Sequence, residues 1–115
     1  MERRQYKRLK KPVKFIFFLQ GEEFLRGEAT GVNPQGFAGV VEPTEGKRIA
    51  RRAFEGMEGE VEFDLKAVDI LPVKCEIIRS SNIENDPKKV FMAFKILNMD
   101  SRDKKMLLEY ISRTD

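Results

Sequence analysis

The sequence has 115 residues, of which 22 are basic and 19 acidic, giving a formal net charge of +3. That length fits a single domain with one hydrophobic core. The absence of histidine excludes an imidazole base or metal ligand, and the single cysteine, Cys75, excludes an internal disulfide and a cysteine zinc cluster.

The N-terminus is strongly basic. Seven of the basic residues and one of the acidic residues fall within residues 1–14, so this segment has a charge of +6 and the remainder has −3. Pro12 lacks a backbone donor and restricts Lys11, which marks a change in structure at that point. We therefore predict that residues 1–12 form a basic arm, which favours anionic ligands or partners.

Six β-strands are predicted after the arm, because apolar and β-branched residues alternate with polar ones between turn residues. The Asn33-Pro34-Gln35-Gly36 stretch is a turn by composition. Residues 81–87 are predicted to form a polar loop, and residues 43–59 are either a long loop or contain a short helix. The predicted strands cover residues 13–19, 24–32, 37–41, 60–65, 68–79 and 89–97, with Phe15, Phe17, Phe63, Phe91 and Phe94 expected in the core.

The chain is predicted to end in a helix. Asp100 is a suitable N-cap, and Leu107, Tyr110 and Ile111 recur at helical spacing, which predicts a capped helix over residues 100–113. Six strands followed by one amphipathic helix indicate that residues 13–115 form one small antiparallel β-barrel with the helix packed on it.

Two arginines in the arm have the spacing R-x-x-x-R. Arg4 and Arg8 are four residues apart and can converge on one ligand. Guanidinium groups offer forked donors that match phosphate oxygens and the O6/N7 edge of guanine, and their flat faces stack on bases. The pair therefore suits a guanine nucleotide, and a solvated basic arm is the alternative interpretation.

The whole sequence resembles a PilZ domain. The similarity consists of the N-terminal R-x-x-x-R, a strand pair joined by a polar glycine-containing turn, and the ending FKILNMDSRDKKMLLEYISR. The resemblance implies a six-stranded β-barrel with a C-terminal helix. It also implies a bacterial, cytoplasmic receptor for cyclic di-GMP that needs no other cofactor and no metal.

The second PilZ motif, D/N-x-S-x-x-G, matches Asn33 to Ala38, with Gln35 in place of the serine and Ala38 in place of the last glycine. The resemblance implies that Arg4 and Arg8 clamp the ligand and that Asn33 bonds a guanine edge. It further implies that Gln35 contacts a phosphate and that Gly36 lets the backbone approach the ligand. Arg3 and Ala38 are expected as further contacts. Plain turn chemistry is the alternative explanation for Asn33 and Gln35.

Three functions follow from these patterns. The first is a cyclic di-GMP receptor that orders its arm on ligand binding and signals to an unidentified protein partner. The alternative is a PilZ-like domain that has lost nucleotide binding and acts as a protein interaction module in pilus or motility control. Nucleic-acid binding is disfavoured because the body is acidic and the aromatic residues are expected in the core. No enzyme is expected, since the sequence offers no catalytic constellation. No membrane insertion is expected either, because no apolar run is long enough to span a bilayer.

Overall fold

Six antiparallel strands and one C-terminal helix are present in the part of the chain that the structure describes. The structure is a computed structural model and describes residues 6–43, 54–65, 72–83 and 86–113. The strands are β1 (Lys7–Leu19), β2 (Glu22–Asn33), β3 (Gly36–Pro43), β4 (Glu58–Phe63), β5 (Val73–Ile83) and β6 (Asp86–Ile96), and the helix is α1 (Ser101–Arg113). None of the helices within these ranges is long and apolar enough to cross a membrane.

The strands close into a barrel in the order β1-β2-β3-β6-β5-β4, with β4 pairing back to β1. The predicted six-stranded antiparallel barrel with a C-terminal helix is therefore confirmed. Closure pairs strands that are distant in sequence and leaves the sheet without an unpaired edge strand.

Short turns join the first three strands. Gln20 and Gly21 link β1 to β2 with φ values of 54° and 84°, as a two-residue hairpin turn of the primed type requires. The connection is two residues shorter than the predicted strands imply, because Glu22 and Glu23 already belong to β2. Pro34 and Gln35 link β2 to β3, in agreement with the predicted turn.

Phenylalanine rings fill the inside of the barrel. Phe37 and Phe94 stack with their ring centroids 4.8 Å apart, and Phe15 meets both rings edge-on at 5.2 and 5.4 Å. Phe17 and Phe63 are also buried, as predicted. Phe91 is only half-buried because its neighbours in β6, Val90 and Met92, are the residues that face the core.

The hairpin between β5 and β6 is longer than the sequence indicates. We expected residues 81–87 to form a loop, but β5 continues to Ile83 and β6 begins at Asp86. Ser81 pairs with Phe91, so backbone pairing between the strands extends into a segment of polar composition. Within the predicted 43–59 segment, residues 44–53 lie outside the described residues, whereas Phe54–Gly56 form a turn before β4.

Helix α1 packs against β1, β2 and β3. Its N-terminus is capped as predicted, because the Asp100 Oδ1 atom accepts a hydrogen bond of 2.8 Å from the backbone N–H of Asp103. The side chains that it buries are Leu107, Leu108 and Ile111, whereas Tyr110 is 37% exposed. The helix therefore covers the strands that bear the predicted site residues.

Candidate functional site

Strand β1 displays an exposed row of basic side chains. Within the described part of the chain, no carboxylate forms an ion pair or hydrogen bond with any of them. Their charges therefore combine to attract anions to this side of the barrel. The basic side chains are Lys7, Arg8, Lys10, Lys11 and Lys14. Arg3 and Arg4 lie outside the described residues, so the structure places only the second arginine of R-x-x-x-R.

Arg8 is held in β1 directly opposite Gly31 of β2. The next paired residue of β1 is Val13, which faces Ala29. Four residues of β1, 9–12, therefore stand opposite the single residue Thr30. This irregular bulge determines which residue of β2 lies opposite Arg8. Because Gly31 lies two residues before Asn33, the structure brings Arg8 and the predicted turn to the same end of the β1–β2 pair.

Asn33 holds the turn together with its side chain. Its Oδ1 atom accepts hydrogen bonds from the backbone N–H groups of Gln35 and Gly36, each at 2.8 Å. Both acceptor positions of this oxygen are thereby used inside the turn. The half-buried Asn33 side chain can still offer its Nδ2 donors, which match the O6 and N7 acceptors of guanine.

Gln35 and Gly36 have different surroundings within the turn. Gln35 is exposed, and its backbone carbonyl accepts a hydrogen bond of 3.0 Å from Ile96 N–H, so its side-chain amide faces solvent at a fixed position. Gly36 is buried, and a Cβ atom there would lie 2.0 Å from the carbonyl oxygen of Phe94. Packing of β3 against β6 is therefore sufficient to explain the glycine.

Small residues line up across three strands beside Arg8. Gly31 in β2 pairs with Ala38 in β3, and Ala38 pairs with Ala93 in β6. Ala38 and Ala93 are 1% and 2% exposed. Ala38, the residue in place of the motif glycine, therefore lies on the same row of paired residues as Arg8.

Gly31 is the site residue that the sequence analysis missed. In the sequence it is simply a glycine within a predicted strand, yet it faces Arg8 and lies against the residues at the start of β1. A Cβ atom on Gly31 would lie 3.0 Å from Cβ of Tyr6 and 3.2 Å from the carbonyl oxygen of Lys7. A glycine in a strand often marks such a close approach of another backbone, and this was the available signal.

Cys75 has no place in this site. It is fully buried in β5, and burial raises the pKa of its thiol from 9.0 to about 12. The thiol therefore stays protonated near neutral pH and lacks the thiolate that a nucleophile or metal ligand needs. Its role is that of a small apolar core residue.

A groove of about 640 Å³ lies elsewhere on the barrel surface. Arg26 in its lining is seven residues from Asn33 along β2, or roughly 23 Å at the usual rise of a strand. The groove has both signs of charge, with Lys14, Arg26 and Lys89 beside Glu28, Glu42 and Glu62. None of its lining residues belongs to the predicted site, so Arg8 and the turn form an open surface outside this groove.

Comparison of the whole fold with solved structures identifies its type. The chain is similar to the PilZ domain of YcgR from Escherichia coli, solved with cyclic di-GMP, with a TM-score of 0.63 and 17% sequence identity. The match covers 97% of this chain and 93% of that domain. The chain has a PilZ-type fold.

A second solved structure agrees with this assignment. The PilZ-type domain is similar to the Bacillus subtilis inhibitor of motility, MotI/DgrA, with a TM-score of 0.60 and 18% identity over 96% of this chain. It spans 50% of that protein. No family model matches the sequence, and no curated protein is similar to it in sequence. The relationship is therefore visible in the fold and not in overall sequence similarity.

Proposed function

We propose that this PilZ-type domain is a receptor for cyclic di-GMP. The observation that supports the proposal most directly is the position of Arg8, which faces Gly31 and lies beside the Asn33–Gly36 turn. The similar domain of YcgR, whose structure contains cyclic di-GMP, supports the choice of ligand. The proposal assigns the chain a binding and signalling role without catalysis, in the bacterial cytoplasm.

The ligand would be bound mainly by charge-assisted hydrogen bonds from arginine side chains. Arg8, together with Arg4 at its R-x-x-x-R spacing, would donate to phosphate oxygens or to the O6/N7 edge of a guanine, with Arg3 as an additional cation. Asn33 would donate from Nδ2 to the same base edge, since its Oδ1 atom is used in the turn. Gln35 would donate its exposed amide to a phosphate.

Binding would hold the first residues of the arm, 1–5, against the barrel, since residues 7–12 of the predicted arm already belong to β1. A ligand that contacts Arg4 and Arg8 on one side and Asn33 on the other would order the arm over β2 and β3. The surface offered to a protein partner would then differ between the free and the bound protein, and that difference would constitute the signal. Ordering the arm costs conformational entropy, which lowers the affinity for the ligand. Each charge-assisted contact is therefore needed to offset that cost.

Titration calorimetry with cyclic di-GMP tests the proposal. The wild-type protein should release or absorb heat on binding, and the Arg4→Ala, Arg8→Ala double variant should give none. Arg8→Ala alone should bind at least about tenfold more weakly, since a charge-assisted hydrogen bond contributes about 1.5–3 kcal/mol. In a thermal-shift assay, ligand at about 100 times its Kd should stabilise the wild type by about 2.7 kcal/mol.

The matched control is Arg26→Ala. Arg26 is also an exposed strand arginine, but it pairs with Glu23 at the far end of β2. Its removal should leave ligand affinity unchanged and alter stability little, because exposed ion pairs contribute little. If wild-type protein gives no heat with millimolar cyclic di-GMP, the receptor proposal is wrong and the interaction-module alternative replaces it.

A further inference from the structure

Tyr6 occupies a fixed position at the entrance to β1. It lies two residues before Arg8 and is half-buried. Its Cβ atom is only 3.0 Å from the point where a side chain on Gly31 would begin, so Tyr6 packs directly over the bare backbone of Gly31. Gly31 thus contacts Tyr6 and pairs with Arg8, so both residues adjoin the same glycine of β2.

Strand alternation and the contact with Gly31 together place Tyr6 beside Arg8 and Asn33. Lys7 pairs with Val32, whose side chain is 6% exposed and lies in the core. Because side chains alternate along strands, the residues on either side of this pair face outwards. Tyr6 precedes β1 in a bend, and its Cβ atom lies against Gly31, which pairs with Arg8 and lies two residues before Asn33 on β2. Tyr6, Arg8 and Asn33 therefore surround one patch of the outer surface.

The other aromatic rings of the described chain are placed elsewhere. Five phenylalanines form the ring cluster inside the barrel, and Phe24 packs edge-on against Phe54. Phe18 lies near the opposite end of the β1–β2 pair, Phe91 lies in β6, three strands from β1 around the barrel, and Tyr110 lies on α1. The clustered rings are those of Phe15, Phe17, Phe37, Phe63 and Phe94. Tyr6 is therefore the aromatic residue that the fold brings to Arg8 and Asn33.

We propose that Tyr6 is a base-stacking residue of this site, whose ring packs against the face of a guanine base that Arg8 and Asn33 hold by its edge. This inference rests on the proposed cyclic di-GMP function and adds a contact to it. Hydrogen-bond donors recognise the O6/N7 edge of a guanine, whereas its two apolar faces are bound by stacking on a flat side chain. Aromatic side chains are the usual partners for such faces in proteins that bind unpaired bases.

Stacking would also let a site with an altered turn retain affinity for the ligand. Gln35 and Ala38 depart from the PilZ motif, and Asn33 has already used its acceptor oxygen within the turn. A ring contact with the base requires none of these groups. Its contribution is independent of salt, whereas the contacts of Arg8 weaken as salt rises.

Calorimetry on two Tyr6 variants tests the inference. Tyr6→Phe keeps the ring and should bind cyclic di-GMP within about twofold of wild type, whereas Tyr6→Leu should bind about tenfold more weakly or worse. The matched control is Tyr110→Leu, which removes the other tyrosine and should leave affinity unchanged. Equal affinity of Tyr6→Leu and wild type would overturn the stacking role while leaving the receptor function intact. No binding by wild type would overturn the receptor function itself.

Tyrosine fluorescence provides a second test that does not depend on the folding of Tyr6→Leu. The chain has no tryptophan and two tyrosines, so Tyr6 is the sole emitter in a Tyr110→Phe variant. Stacking of a guanine on the ring should quench this emission as the ligand binds, with the midpoint that calorimetry gives. In the reciprocal Tyr6→Phe variant, emission from Tyr110 should not change. Binding by Tyr110→Phe without quenching would overturn the inference.

Discussion

Arg8 and Gly31 face each other across β1 and β2, on the same row of paired residues as Ala38 and Ala93. This pairing places Arg8 at the end of a row of small residues, of which Ala38 and Ala93 are buried. It also links the R-x-x-x-R segment to the Asn33 turn, because Gly31 and Asn33 lie two residues apart on the same face of β2. The two halves of the candidate site are thus joined by backbone pairing before any ligand is present.

Gly31→Ala should weaken ligand binding without unfolding the protein. The new methyl group would meet Tyr6 Cβ at 3.0 Å and the Lys7 carbonyl oxygen at 3.2 Å, so the start of β1 must shift by a few tenths of an ångström. Misplacing Tyr6 and Arg8 together should reduce affinity on the order of tenfold in calorimetry. Thermal unfolding should change little, since alanine costs less conformational entropy in a strand than glycine.

A double-mutant cycle supplies the control for this prediction. If Gly31→Ala acts by moving Tyr6, its effect on affinity should be smaller in a Tyr6→Leu background than in wild type. Fully additive effects of the two substitutions would show that Gly31 acts independently of Tyr6. Unchanged affinity in Gly31→Ala would contradict the prediction directly.

Asn33 has a structural role that can be separated from its proposed ligand role. Asn33→Ala removes the acceptor of two backbone hydrogen bonds and should lower the free energy of unfolding by about 1–2 kcal/mol. Asn33→Asp keeps an acceptor for the turn and should retain wild-type stability, because both residues form this type of turn. An ionised carboxylate has no donor for the O6/N7 edge of guanine, so Asn33→Asp should nevertheless bind cyclic di-GMP more weakly than wild type.

Chemical denaturation of both variants, followed by calorimetry, checks this prediction. Gln35→Ala is the appropriate control, because it changes the neighbouring exposed turn residue and no hydrogen bond of its side chain is present in the described structure. Its stability should match wild type. Equal destabilisation by Asn33→Asp and Asn33→Ala would mean that the oxygen at this position does not hold the turn.

The barrel could be predicted from sequence because alternation and turn chemistry agree along most of the chain. Phe15 and Phe17 alternate with less buried residues, and Asn33 is followed by the proline and glycine that a tight turn favours. The end of β5 was missed because its residues are polar. Strand pairing uses backbone groups, and Ser81 pairs with Phe91 whatever the polarity of its side chain.

The register of Arg8 could not be predicted, because it depends on a bulge. The pairing of Val13 with Ala29, continued without interruption, would place Arg8 opposite Pro34 in the turn. The unpaired residues of β1 move it to Gly31 instead. Neither composition nor periodicity reveals how many residues a bulge absorbs. The prediction that Arg8 and Asn33 belong together came from the PilZ resemblance, and their placement at one end of the strand pair came from the structure.

Alkaline pH should destabilise the protein partly through Cys75. In the unfolded chain the thiol ionises near pH 9.0, whereas burial raises its pKa to about 12 in the folded protein. The folded state therefore keeps a proton that the unfolded state loses, and stability falls as pH rises from about 9 towards 12.

Cys75→Ala should be less stable than wild type at pH 7, because it leaves a small cavity in the core. Urea denaturation from pH 7 to 11 should show this difference shrinking above pH 9, since the lysines and tyrosines that also titrate there are common to both proteins. A difference that stays constant with pH would mean that the thiol is not shielded from solvent.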